Sequence, residues 1–287
     1  MYCYLCHNST KQFLVKNGYT IFRCTSCGLA MTDLGRPYRE FVKEHYSREY
    51  FTGDPARSAY VDYEQDKALI VKNFGQYFRR ISKRQSSGKF LDVGCALGYG
   101  VEMALSRGYD AHGFDPSTYA TDRAKELVGS KRIKTGTIQD VTYAENSFSV
   151  ITLFDVFEHL ADPKKDLVKL KSVLSKDGIL VIATGDTSSF LANVFKRRWT
   201  FYIPPQHLFF YSQKTLSTIL GQTGFKPLEW FRIDKWLSTR YVFHLARTTG
   251  ESRIANALYP LINKSTLGNL SLYLPVRDNM VVIARKL

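Results

Sequence analysis

The chain has 287 residues, 44% of them hydrophobic, enough for one full α/β domain plus a small extra module. Its net charge of +14 is uneven, because residues 190–287 hold 14 Lys and Arg against four acids; such a face attracts anions such as phosphorylated small molecules, nucleotide-sugars, anionic glycans or nucleic acid, and is equally a solvated, solubilising surface. No run of about 18 apolar residues occurs and the opening MYCYLCHN is not a basic-then-apolar leader, so neither a membrane span nor a secretory signal is expected, and a cytoplasmic, reducing setting is.

Residues 1–35 read as a zinc ribbon. Cys3-x2-Cys6 is followed after 17 residues by Cys24-x2-Cys27, the spacing of a four-thiolate tetrahedral site. Residues 13–15 and 19–23 predict a hairpin turned at Asn17-Gly18. So short a stretch builds little core, so Zn2+ is expected to supply folding energy; four thiolates fill the site, which makes the metal structural. His7 is a bystander, and two disulfides are the alternative.

Residues 36–88 form an aromatic-rich helical linker or lid, with Tyr38, Phe41, Tyr46, Tyr50, Phe51, Tyr60 and Tyr63. Gly53-Asp54-Pro55 breaks the stretch, the apolar spacing over 68–81 predicts a helix, and Ser86-Ser87-Gly88 reads as a hinge into the main domain. Ordinary core packing would use the same aromatics.

From Lys89 the sequence KFLDVGCALGYG is an apolar strand, a glycine turn and the start of a helix. That arrangement presents backbone N–H groups and a positive helix end at the strand's C-terminal edge, where open α/β sheets bind ligands. The glycines run G-x-x-x-G-x-G, not G-x-G-x-x-G, with Asp92 two residues before Gly94. This pattern resembles motif I of class I S-adenosylmethionine (SAM)-dependent methyltransferases, although Ala96 stands where that family usually has glycine. The resemblance implies that the turn (Gly94, Cys95, Gly98) packs under the methionine moiety and that Asp92 helps hold its amino end.

Residues 111–114 predict the second strand, ending in Asp115, 21 residues after Gly94, where an acid meets a ribose diol; a helix cap is the alternative, with Ser117 competing for it. Residues 133–135 predict the third strand, and the resemblance places Asp140 beside the adenine. Residues 149–154 predict the fourth strand, whose end, Phe154, is assigned to the donor site. The following FDVFEHLADP resembles the post-strand-four motif of a large class I subgroup, some of whose members carry an N-terminal zinc module and include sugar methyltransferases. A helix then stops at Asp177-Gly178, residues 179–183 predict strand five, 215–222 a helix, 225–233 strand six and 279–286 the last strand. The expected fold is therefore a Rossmann-like, doubly wound seven-stranded sheet over residues 89–287, with the last strand antiparallel and an insertion at 234–278. That insertion could cap the acceptor site, mediate oligomerisation or sit on a membrane surface.

Methyl transfer is an in-line displacement in which a hydroxyl acceptor must lose its proton. His159 and His207 are the candidate bases, since imidazole suits neutral pH; each could equally be a structural hydrogen bonder. Asp155, Glu158, His159 and His207 also resemble the metal-ligand set of small-RNA ribose methyltransferases and ubiquinone-pathway O-methyltransferases. The expected activity is SAM-dependent transfer to a small or glycan-type acceptor, a sugar hydroxyl or carbon. The alternatives are an RNA methyltransferase gripping phosphates with the ribbon and the basic C-terminal third, and a non-catalytic zinc-ribbon interaction module.

Overall fold

The computed structural model describes residues 1–52, 63–248 and 252–287. The Gly53-Asp54-Pro55 break and Tyr60 lie outside the described residues. β1 (Thr10–Lys16) and β2 (Tyr19–Cys24) form the expected antiparallel hairpin. Its turn residues Asn17 and Gly18 both have positive φ (50° and 78°), which matches a two-residue turn to the strand twist. β3 (Ala30–Thr32) pairs with β2. Then come α1 (Tyr38–His45), α2 (Arg48–Thr52) and α3 (Lys67–Arg84). The spacing of Tyr77, Phe78 and Ile81 turns one face of α3 onto Phe90 and Val150 of the main sheet.

The main domain runs β4 (Lys89–Val93), α4 (Tyr99–Ser106), β5 (Asp110–Asp115), α5 (Thr118–Val128), β6 (Ile133–Thr135), β7 (Phe148–Phe154), α6 (Pro163–Val173) and β8 (Leu174–Gly185). It continues through α7 (Phe190–Phe195), β9 (Phe209–Phe210), α8 (Gln213–Gln222), β10 (Phe225–Arg232), β11 (Lys235–Ser238), α9 (Thr239–Thr248), α10 (Arg253–Lys264), β12 (Ser271–Leu274) and β13 (Asn279–Lys286). The strand order β10-β13-β8-β7-β4-β5-β6 is the expected seven-stranded sheet. β13 slots between β8 and β10 antiparallel to both. Helices on both faces explain why β7 and β8 are nearly continuous apolar runs.

β8 starts five residues earlier than predicted. Its pairing with β7 jumps from Phe148–Leu174 to Val150–Ile179, so Asp177-Gly178 sits inside an irregular ladder and does not separate helix from strand. The 234–278 insertion is a helical excursion closed by β11 and β12, which pair antiparallel. Asn73 of α3 pins it, donating to the Trp236 carbonyl and accepting from the Trp236 amide, both at 2.9 Å.

The cysteine-bearing hairpin is built into the body. β9 adds to β3, making a second sheet ordered β1-β2-β3-β9. Leu14, Ile21 and Ala30 pack with Ala192, Trp199, Tyr202 and Phe210, while Cys3, Leu5, Leu29 and Met31 join the core around β7, α6 and α8. The apolar partners that residues 1–35 cannot supply thus come from residues 192–210 and from the main core, and this packing supplies folding energy there. The Thr32 hydroxyl donates to the His207 carbonyl at 2.7 Å, coupling this sheet to a candidate catalytic loop.

Candidate active site

The C-terminal ends of β4, β5 and β7 open into one cavity, lined by Gly94, Ala96, Phe114, Asp115, Thr137, Ile138, Phe154, Asp155 and His159. Tyr38 and Tyr46 of the α1 region, Tyr50 and Phe51 of α2, and Tyr63 close its other side. Gly94 has φ +68°, and a Cβ there would lie 2.5 Å from Val156 Cγ2, so only glycine fits the turn.

Asp115 reaches the cavity with its carboxylate pre-aimed. Oδ2 accepts the Ala96 amide at 3.0 Å and Oδ1 the Ser117 amide at 2.9 Å, while burial pushes the carboxyl up to about 6. Ser117, not Asp115, caps α5 through the Ala120 amide. That leaves each carboxylate oxygen with capacity to accept from a vicinal diol.

Phe154 lines the same cavity, its ring stacked on Tyr77 at 4.5 Å. The other motif residues lie away from the wall. Asp92 is buried beneath the glycine turn, accepts from the Thr152 hydroxyl at 2.7 Å, and is lifted by burial to about 7. Cys95 points into the core against Gly113, and burial holds its thiol well above the usual range. Gly98, at φ +85°, is the N-cap of α4 and lies against Ala124. Asp140 accepts from the Thr137 amide and hydroxyl and pairs with Arg39 at 3.1 Å, leaving Thr137 and Ile138 at the wall.

A second, polar cavity adjoins the first. Tyr50, Asp155 and His159 line both; Glu158, Phe201, His207, Lys235, Tyr241, Asp278 and Asn279 are among the other residues of the second. His159 Nδ1 lies 2.9 Å from the Gln206 carbonyl oxygen and 2.9 Å from the Tyr46 hydroxyl. His207 Nδ1 lies 2.7 Å from the Phe201 carbonyl oxygen. A carbonyl only accepts, so these partners assign the proton to Nδ1 and the lone pair to Nε2 of each ring. Burial lowers His159 to about 4 and holds His207 well below the usual imidazole range, which keeps both neutral.

Glu158 is fully buried. Oε2 accepts from the Thr184 hydroxyl at 2.8 Å, Oε1 has no hydrogen-bond partner, and burial with the nearby Asp155 raises the carboxyl to about 8. One donor atom each from Glu158, His159 and His207 falls within 4.8 Å of the others. Two imidazoles oriented by backbone carbonyls and an orphaned carboxylate oxygen suit a divalent ion. Asp155 stands outside that trio: at φ +53° it closes β7, and its Oδ1 accepts from Asn279 at 2.7 Å.

Lys235, Asp278 and Asn279 were not expected here. They enter from the ends of β11 and β13, elements distant in sequence from the motifs. Lys235 Nζ pairs with Asp278 at 3.0 Å and donates to Asn279 at 2.9 Å; burial alone would lower its pKa, but Asp278 and Asp155 hold it above the usual value. Polar residues at strand ends facing the motif edge were the available signal.

The four cysteine sulfurs also lie within 4.8 Å of one another, with Cys3–Cys27 and Cys6–Cys24 each at 3.5 Å and all four unbridged. A tetrahedron with metal–sulfur bonds of about 2.3 Å has edges of roughly 3.8 Å, so the group fits an ion. Donation from the Asn8 side chain and backbone lowers Cys6 to about 6, favouring thiolate.

A family model described as "Methyltransferase domain" matches residues 65–229. A ubiquinone biosynthesis O-methyltransferase of Azorhizobium caulinodans is 28% identical over 136 residues, 46% of this chain and 51% of that protein. One from Actinobacillus pleuropneumoniae serotype 7 is 30% identical over 105 residues, 33% of this chain and 45% of its own. The chain thus spans about half the length of the curated relatives it matches. The structure of geranyl diphosphate C-methyltransferase from Streptomyces coelicolor A3(2), complexed with Mg2+, geranyl-S-thiolodiphosphate and S-adenosyl-L-homocysteine, shares the fold at TM-score 0.56 and 15% identity, covering 89% of this chain and 100% of that one. With the matched model extending over more than half of its residues, the protein belongs to the methyltransferase-domain family.

Proposed function

We propose that the chain transfers a methyl group from SAM to a hydroxyl of a small, hydrophilic, glycan-type acceptor. The observation that carries this is the shared wall: Tyr50, Asp155 and His159 face both the cavity that suits the donor and the polar cavity beside it. Asp115 holds the donor's ribose, Ile138 and Leu160 flank its base, and the aromatics of α1 and α2 close over it. The bound donor supplies an electrophilic methyl on a sulfonium. His159 Nε2 takes the acceptor's proton as the oxygen–carbon bond forms, while the electron pair of the breaking carbon–sulfur bond stays on sulfur. Lys235 and Asn279 orient acceptor oxygens. The four cysteines hold a structural Zn2+, and the reduced thiols it needs support a cytoplasmic setting.

The orphaned Oε1 of Glu158 favours a second version of the same site. Glu158, His159 and His207 would then hold a divalent cation that lowers the acceptor hydroxyl's pKa, replacing the need for a base. A chelator that stops turnover without removing zinc, with recovery on adding Mg2+, selects this version.

Asp115→Ala is expected to weaken SAM and S-adenosylhomocysteine binding by roughly 10- to 100-fold, the loss of about 1.4–2.8 kcal/mol from hydrogen bonds to a charged acceptor. Calorimetry checks this beside a thermal melt, since the same carboxylate accepts the Ala96 and Ser117 amides and its loss also loosens the loop. Unchanged affinity would remove Asp115 from the donor site. Methyl incorporation from labelled SAM into nucleotide-sugars and short glycans tests the acceptor class; incorporation only into RNA would overturn it.

A further inference from the structure

Two stretches far apart in sequence carry large apolar side chains into solvent beside basic ones. In α7, Phe190, Val194 and Phe195 are 78%, 54% and 53% exposed, and Lys196, Arg197 and Arg198 follow at once, all exposed. In α10, Ile254, Leu258 and Leu261 are 73%, 41% and 70% exposed at spacings of four and three, one helical face, with exposed Arg253 and Lys264 at the helix ends. No Asp or Glu occurs between Asp186 and Glu229, or between Glu251 and Asp278.

Neither stretch lines the polar cavity itself, but the neighbours of both do. Thr200, Phe201 and Ile203 follow α7, and Tyr241 and Leu245 come from α9, and all five line it. α10 packs on α9, where the His244 and Tyr259 rings lie 5.9 Å apart and the Arg247 guanidinium sits 4.0 Å over the Tyr259 ring.

We propose that these stretches form a docking surface for an anionic lipid bilayer, which seats the walls of the polar cavity at the membrane surface. Large apolar side chains protruding beside lysine and arginine are the makeup of a segment that lies in the bilayer interface, the rings and aliphatic chains entering the acyl boundary and the cations meeting lipid phosphates. A second copy of the chain is a poorer occupant. A two-fold contact would lay each basic patch on its own like, with no acid in either stretch to offset it. Among the described residues no helix is long and apolar enough to cross a membrane, so the contact is peripheral.

The full zinc-loaded chain should be sedimented with vesicles of phosphatidylcholine alone and of phosphatidylcholine with one-third phosphatidylglycerol. Binding to the anionic vesicles is expected to be at least about 10-fold tighter and to weaken with salt. Phe190→Ser with Phe195→Ser, or Ile254→Ser with Leu261→Ser, should each lower it by about 10-fold. Lys196→Glu with Arg198→Glu should cut the anionic preference by about 10-fold, with Arg253 and Lys264 remaining; Arg197 is spared because it donates to the Phe13 carbonyl at 3.1 Å. All four apolar positions are exposed, so melting temperatures should stay at the wild-type value. Failure to pellet with anionic vesicles, or pelleting that the substitutions leave unchanged, would overturn the proposal. So would self-association in sedimentation velocity that the serine substitutions abolish while vesicles capture nothing, which would give the surface to a second copy.

Discussion

His159→Ala is expected to lower kcat by about 10^2- to 10^4-fold while changing donor affinity by no more than a few-fold. The ring sits in the wall between the two cavities, so its loss affects the reacting geometry more than the donor's ribose or adenine contacts. Its Nδ1 is committed to the Gln206 carbonyl and the Tyr46 hydroxyl, which fixes the ring and aims Nε2 away from them. Burial lowers its pKa to about 4, so the imidazole is neutral throughout the physiological range and can take a proton only as the transition state develops. Single-turnover methyl transfer measured beside equilibrium binding of S-adenosylhomocysteine separates the two effects. Turnover within a few-fold of wild type would make His159 a structural hydrogen bonder. Tyr46→Phe gives a graded control, since it removes one of the two oxygens at Nδ1 and should lower kcat by less than the alanine variant.

Cys6→Ser or Cys24→Ser should remove one zinc per chain and destabilise the protein by several kcal/mol, a fall in melting temperature of roughly 10 °C at 2–4 °C per kcal/mol. Because β3 pairs with β9 and Thr32 holds the His207 carbonyl, the damage should spread from the cysteine group to the polar cavity. Donor affinity should fall less than turnover, since Tyr38, Asp115 and Ile138 belong to other elements. Metal analysis with a thermal melt checks the first part and activity at a permissive temperature the second. The packing of Leu14, Ile21 and Ala30 against Trp199 and Phe210 predicts that the variants still fold, unlike an isolated zinc module. Wild-type zinc content in both variants would overturn the four-thiolate site.

Much of the sheet was legible because its strands carry their own period and boundaries. Residues 133–135 and 279–286 match β6 and β13 end for end, and the cysteine spacing and the Asn17-Gly18 turn locate the hairpin. β9 was not legible: two residues have no period, and its partner β3 lies in the N-terminal module. The start of β8 was missed because Asp177-Gly178 has the chemistry of a turn, and only pairing with β7 keeps it in the strand.

The site divides the same way. Gly94, Asp115, Phe154, His159 and His207 could be located by local motif and strand edge and line one cavity or the other, whereas Asp92, Cys95, Gly98 and Asp140 line neither. The pleat of β4 decides Asp92, and the turn after it decides Cys95 and Gly98. Asp92 turns to Thr152 under the loop and Cys95 to Gly113, a choice that spacing alone does not make. Asp140 is held outward by its own turn with Thr137. Lys235, Asp278 and Asn279 meet Asp155 only because β13 inserts between β8 and β10, a tertiary event that no local window records.

Titrating SAM and S-adenosylhomocysteine into the zinc-loaded chain by calorimetry tests the central claim most directly. Single-site binding in the micromolar range, weakened at least about 10-fold by Asp115→Ala and little changed by His159→Ala, is the predicted result. No heat of binding for either compound from protein with a wild-type melt would contradict it and leave a methyltransferase fold that does not take the donor.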